Sequence, residues 1–197
     1  MKIDKTLFLK WIKNLMYVQC VEFAAYILGQ VPMLESPVLW VRQILTIASI
    51  YCLYKLAPIS DRYQKAVIFS GLAAVMNLLV NAGVLIILSI PLMVCSLIGT
   101  WQEFHGHLEL LLIIDKKLSD KWHTLLMWNI FGPLIVALIT PMILIMPIFT
   151  GSFDESKLSQ IAVLIGVLFS VILQLLYVIY LKRTHDVYEK YEHCEEA

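Results

Sequence analysis

The chain has 197 residues, of which 60% are hydrophobic and 15% charged, with a mean hydropathy of +0.79. A soluble domain is about 45–50% apolar and about 25% charged, so a soluble core of this size cannot absorb the excess Leu, Ile and Val, and its solvent must be lipid. Zero formal net charge and a pI near 6.9 exclude the basic face that nucleic-acid binding needs.

No polar block is long enough to fold alone, so 1–197 reads as one polytopic membrane domain. The four cysteines, Cys20, Cys52, Cys95 and Cys194, share no pairing or metal-type spacing and read as packing or incidental residues. The basic start, MKIDKTLFLKWIKN, has Lys10 and Lys13 inside any signal-type apolar run. No small-residue cleavage site follows, so the first segment is expected to stay as an anchor.

In chain order, the first span covers about residues 9–31, with Trp11, Lys10 and Lys13 suited to an interface. Pro32 and Glu35-Ser36-Pro37 close it. The second, about 38–57, begins near Trp40 and Arg42 and ends at Lys55 and Pro58. Residues 66–101 then pass without a charge. As one helix they would reach roughly 54 Å at 1.5 Å per residue, against a hydrocarbon core of about 30 Å. The run is therefore divided near Asn81-Ala82-Gly83, giving spans of about 64–82 and 84–104, with Pro91 expected to kink the fourth. The fifth, about 120–148, contains Gly132-Pro133, Pro141 and Pro147. The short acidic loop Thr150 to Ser156 leads to the sixth, about 157–182, and a tail at 183–197 prolongs that helix.

The expected fold is thus an all-α integral membrane protein, a bundle of six transmembrane helices with both termini cytoplasmic, in the cell membrane. Charge supports six. Lys2, Lys5, Lys10, Lys13, Lys55, Arg62, Lys65, Lys116, Lys117, Lys121, Lys182, Arg183 and Lys190 fall inside, leaving Arg42 and Lys157 outside. Five spans, the fallback, would divide the basic residues almost evenly. A hairpin at 81–83 that returns without crossing would preserve the same arithmetic. By size and helix count the chain resembles the small substrate-binding subunits of vitamin importers, and that resemblance implies work with other membrane subunits.

Three constellations carry the functional expectations. Glu22 lies at mid-depth of the first span, where an ionisable group costs about 2.5–3.5 kcal/mol and usually faces a partner or cavity. Gln19 and Tyr26 share its side, and Asn77, Asn81 and Gln174 are the other mid-depth polar groups. If they meet, the bundle has a polar centre for a small solute; otherwise they are hydrogen-bonding glue between helices. Second, the cytoplasmic connector 102–123 holds Glu103, His105, His107 and Glu109. On a helix these form two i,i+4 pairs, and the set suits a divalent metal such as zinc, with Asp115, Asp120 and His123 near. The plainer reading is a helix leaving the membrane, its polar residues paired with each other and with headgroups. Third, Ser119 is expected to cap a helix beginning at Asp120, and Lys116, Lys117 and Lys121 to anchor at headgroups or dock a partner. The five tryptophans read as an interfacial belt.

The leading expectation is a small multi-pass protein that binds or passes a solute through Glu22, Asn77, Asn81 and Gln174. A non-catalytic accessory protein docking a partner through connector and tail is the rival. A membrane-embedded metal enzyme using His105, His107 and Glu109 comes third.

Overall fold

Ser60 begins the third helix in a way that shows how local chemistry sets the elements. Its backbone is extended (φ −152°, ψ 136°), and its hydroxyl accepts a hydrogen bond from the Arg62 N–H at 3.2 Å, satisfying a donor that the first turn leaves unpaired. In the computed structural model, six helices follow in order. They are α1 (Lys5–Leu28), α2 (Glu35–Leu56), α3 (Asp61–Asn81), α4 (Ser89–Ile114), α5 (Lys116–Thr150) and α6 (Glu155–Glu195). The structure describes the backbone of residues 5–83, 86–150 and 155–195 and most side chains between 5 and 135 and between 160 and 191. Among the described residues there is no strand. Lys2, the centre of the acidic loop, and the side chains of Pro141, Pro147, Lys157 and Cys194 lie outside the described residues.

The long uncharged run is interrupted after α3, where Gly83 takes φ +71°, a left-handed value that favours glycine. Pro91 falls in the first turn of α4, where its missing N–H would have had no helical partner; the expected kink is therefore not needed. A single residue, Asp115, separates α4 from α5. It, not Ser119, is the cap: Asp115 Oδ1 accepts from Leu118 N at 3.0 Å. Ser119 lies within α5 and donates to the Leu108 carbonyl at 3.2 Å. The polar interruption at 102–123 is helical on both sides of Asp115.

The helices pack as a ring in which each neighbours the next and α6 returns to α1. Neighbours are antiparallel. Gly99 faces Ser70 and Gly106 faces Tyr63 across α4 and α3, and Trp122 meets Thr184 while Trp128 meets Phe169 across α5 and α6. Phe8 against Tyr188, with ring centroids 4.4 Å apart, closes the ring.

Among the described residues, the large buried apolar side chains cluster at one end of this ring. Phe8, Ile12 and Leu15 of α1, Leu53 and Leu56 of α2, and Tyr63 and Ala66 of α3 meet there with Leu110 and Leu111 of α4, Trp122, Leu125 and Leu126 of α5, and Leu181 and Tyr188 of α6. Elsewhere many of the described apolar side chains are exposed. Trp40, Ile44, Ile47, Tyr51 and Tyr54 of α2 repeat at helical spacing and are each more than half exposed. Ile161, Leu164, Leu168, Ile172, Leu175 and Ile179 make a similar stripe on α6. Such faces are far larger than a water-soluble surface tolerates. Among the described residues, three stretches, Ser36–Leu56, Asp61–Asn81 and Val163–Tyr191, are long and apolar enough to cross a membrane.

Close approach of α3 and α4 depends on glycine. A Cβ on Gly106 would lie 2.8 Å from the Tyr63 ring, whereas one on Gly71 would meet nothing within 4 Å. Gly106→Ala is expected to destabilise the fold by about 1–3 kcal/mol through overpacking, and Gly71→Ala to leave it unchanged or slightly firmer. Thermal unfolding of the two variants in one detergent checks this, and equal midpoints would count against the packing.

Candidate functional site

Above the packed end, two adjoining cavities of about 620 Å³ and 390 Å³ share a wall of Gln19, Glu22, Thr100 and Glu103. Together they form a central chamber, and the way it is built follows from helical spacing. On α4, Ser89, Met93, Ser96, Thr100 and Glu103 recur every three or four residues and line it; on α3, Ser70, Ala73 and Asn77 do so; on α2, Thr46, Ser49 and Leu53. Helix α6 contributes Ser170, Gln174 and Tyr177, and α5 contributes Asn129 and Pro133. Pro133 has no N–H for the carbonyl four residues earlier, which leaves the Asn129 carbonyl without its helical donor at this wall. Among the described residues, each helix thus brings polar side chains to the chamber wall, interleaved with apolar ones such as Ile50, Leu92, Leu97 and Leu173.

Three of the four residues singled out as a polar centre, Glu22, Asn77 and Gln174, line the chamber. Glu22 Oε2 accepts from Gln19 Nε2 at 3.2 Å, and the same amide nitrogen donates to Ser49 Oγ at 3.0 Å, tying α1 to α2. Asn81 is exposed and lies instead in a separate cleft with Ser36, Trp40 and Gln43. Its amide donates to Asn77 Oδ1 at 3.4 Å.

The four residues considered as metal ligands are drawn to four different partners, because α4 stays helical through them. Glu103 faces the chamber and accepts a short hydrogen bond from the Tyr177 hydroxyl. His105 lies against Trp101, with centroids 4.6 Å apart. His107 is fully buried, stacked on Trp122 at 4.6 Å, and its Nδ1 shares a 2.8 Å hydrogen bond with Tyr63 Oη. Glu109 accepts from Arg62 Nε at 2.8 Å, while Arg62 also donates to Gln102. Among the described residues, the ligand atoms that converge as a set of three belong to His185, Asp186 and Glu189 on α6. The H-D-x-x-E spacing in the tail could have shown this group, but its members are largely exposed.

Sequence reasoning missed Glu103 as a chamber residue and missed Ser49, Ser70, Ser96, Thr100, Asn129 and Tyr177 altogether. The readable signal was the recurrence of Ser, Thr, Asn and Glu at three- and four-residue spacing inside apolar helices. Trp122 is no belt residue. It is fully buried, donates from Nε1 to Thr184 Oγ1 at 3.0 Å, and packs edge-on against Phe104 and Tyr177. Lys116, Lys117 and Lys121 are exposed at the packed end.

Burial pushes His107 down to about 3, from the ordinary imidazole value of about 6.5, so the folded chain keeps it neutral. His105 is lowered as well, first by burial and then by the nearby Arg62. A base lowered in the folded state costs nothing above its unfolded value. Below about 6.5 the unfolded chain gains a proton that the folded chain refuses, so stability falls across the window from about 6.5 to about 3. Wild-type protein is expected to lose stability with acid more steeply than His107→Gln. Melting curves at matched pH values test it, and parallel losses in the two proteins would show that His107 is not held neutral.

No protein-family model, no curated protein and no solved structure matches the chain.

Proposed function

We propose that the chain is a six-span membrane protein, with both termini on the cytoplasmic side, that binds a small polar solute in its central chamber. One observation carries this reading: among the described residues, each of the six helices brings at least one hydrogen-bonding side chain to one space, where these stand among Ile50, Leu53, Leu92, Leu97 and Leu173. Polar groups at such depth are costly unless they have partners. The combined volume suits a small ligand.

The charge distribution supports the orientation. Lys5, Lys10, Lys13, Lys55, Arg62, Lys65, Lys116, Lys117, Lys121, Lys182, Arg183 and Lys190 all belong to the packed end, because antiparallel helices bring those parts of the chain together. Arg42 is the described basic side chain at the other end. A positively charged end belongs on the cytoplasmic side. The packed layer then closes the chamber toward the cytoplasm, and solute reaches it from the opposite face. Within this reading Glu22, Asn77 and Gln174 are binding residues, joined by Glu103 and Thr100. The accessory-protein rival assigns the chamber no role.

Thiol accessibility tests the reading. In protein whose native cysteines are replaced by alanine, Asn77→Cys and Thr100→Cys are expected to react with a membrane-impermeant thiol reagent added outside intact cells. Ala66→Cys, at a fully buried position of the packed end, should not react until the protein is denatured. Silence at both chamber positions, with reaction after denaturation, would refute an externally accessible chamber. A second expectation concerns the floor. Tyr177→Phe removes the hydroxyl that donates to Glu103, so it should lower stability by about 0.5–1.5 kcal/mol, the usual net contribution of one hydrogen bond. Unfolding in detergent measures it, and an unchanged midpoint would count against the bond.

A further inference from the structure

The side chains around the chamber are unbalanced in charge. Among the described residues, its two lobes are lined by two carboxyl groups, Glu22 and Glu103, and by no lysine, arginine or histidine. The two face the same shared wall from α1 and α4. Two carboxyls on one wall repel when both are ionised, and burial makes each charge more costly. Arg42, the basic group whose charge acts on Glu22, has its guanidinium over the Tyr26 ring at 5.5 Å and does not line the chamber. The remaining polar groups of the wall are hydroxyls and amides, all able to accept a hydrogen bond.

The lobe that holds Glu103 is also aromatic. Phe104, Phe169 and Tyr177 line it with Glu103 and Glu22, and Phe104 and Tyr177 stand 5.4 Å apart. Ring faces attract cations, most strongly where water is excluded. Two carboxylates beside aromatic rings suit an ammonium head with apolar substituents. They suit a bare divalent metal less well, because such ions ask for more anionic or imidazole ligands. Among the described residues the chamber brings no third such ligand to the pair.

Resting on the reading of the chamber as a solute site, we propose that its ligand is a small organic cation, a protonated amine or quaternary ammonium. Its charge lies between Glu22 and Glu103, and its apolar part rests on Phe104, Phe169 and Tyr177. The hydroxyls and amides of Ser49, Thr100 and Gln174 accept from its N–H groups where it has them.

The test uses the full-length chain with its native cysteines replaced and Thr100→Cys or Ser96→Cys added. Two methanethiosulfonate reagents of similar size, one with a trimethylammonium head and one with a sulfonate head, label the chamber thiol. Each rate is divided by that for a free thiol in solution. The expected result is a normalised preference of about tenfold or more for the cationic reagent, equivalent to about 1.4 kcal/mol. Glu22→Gln and Glu103→Gln should each reduce that preference several-fold. Tetramethylammonium should slow the labelling, and neutral tert-butanol at equal concentration should not. Equal normalised rates, or a preference for the sulfonate, would overturn the cation assignment while leaving an accessible chamber in place. Failure of both reagents in folded protein, with reaction after denaturation, would overturn the chamber reading and the cation assignment together. Because the preference is read first with both carboxyls intact, a misfolded glutamine variant cannot decide the matter.

Discussion

Trp122 is where four of the six helices are joined. Its indole stacks on His107 and meets Phe104 edge-on, both from α4, and packs against Tyr177 and Tyr180 of α6, while its N–H donates to Thr184. His107 carries the connection to α3 through Tyr63. Large rings contribute most of the contact area in such a layer, and here the polar edges of the indole and of Tyr63 are also satisfied. Tyr188 does the same from the other side, packing on Phe8 of α1 and donating to the Leu110 carbonyl at 2.9 Å. With this layer assembled, the helices need not touch along their whole length, and the upper half of the bundle can stay open around a chamber.

The arrangement inverts that of a soluble protein. The hydrophobic effect cannot hold helices together in a solvent as apolar as leucine, so association falls to close packing and interhelical hydrogen bonds. Both devices are visible. Gly99 and Gly106, two turns apart on α4, bring α3 into near-contact at Ser70 and Tyr63. Gln19 bridges α1 and α2 through Ser49, and Tyr177 ties α6 to α4 through Glu103. The ion pair between Arg62 and Glu109 is half-exposed, and such pairs contribute little.

Much of this was legible in the sequence, for identifiable reasons. Composition alone demanded helices in an apolar solvent. The break after Asn81 could be read because thirty-six uncharged residues exceed any single crossing and a glycine stood at the middle. Glu22 could be read because a carboxyl in an apolar helix needs a reason. Other features depended on neighbours that the sequence does not name. Trp122 and Trp101 look alike on paper, yet one is the centre of a layer and the other lies half-open beside His105. Ser119 reads as the cap from sequence, but α5 begins three residues earlier, with Leu118 and Trp122 packed, and Asp115 takes that place. Asn81 follows Asn77 by one turn, but the turn that ends α3 carries it out of the chamber. Glu103 was grouped with its sequence neighbours, when the relevant company was Glu22 and Tyr177 on other helices.

Glu103 and His107 are separated by a single turn of α4, and that turn divides the two halves of the molecule. Glu103 belongs to the chamber and His107 to the packed layer, while Phe104 and Tyr177 belong to both. They line the lobe beside Glu103, and both also meet Trp122 at near right angles. On the proposed function, a ligand on this floor touches side chains that also hold α5 and α6 in place. Ligand binding to the folded state stabilises it in proportion to occupancy, and here the contacts that would do so are continuous with those that close the ring. The floor cannot widen without loosening Trp122 from Phe104, so on the proposed function the size of solute the chamber accepts is set by the packing of that end.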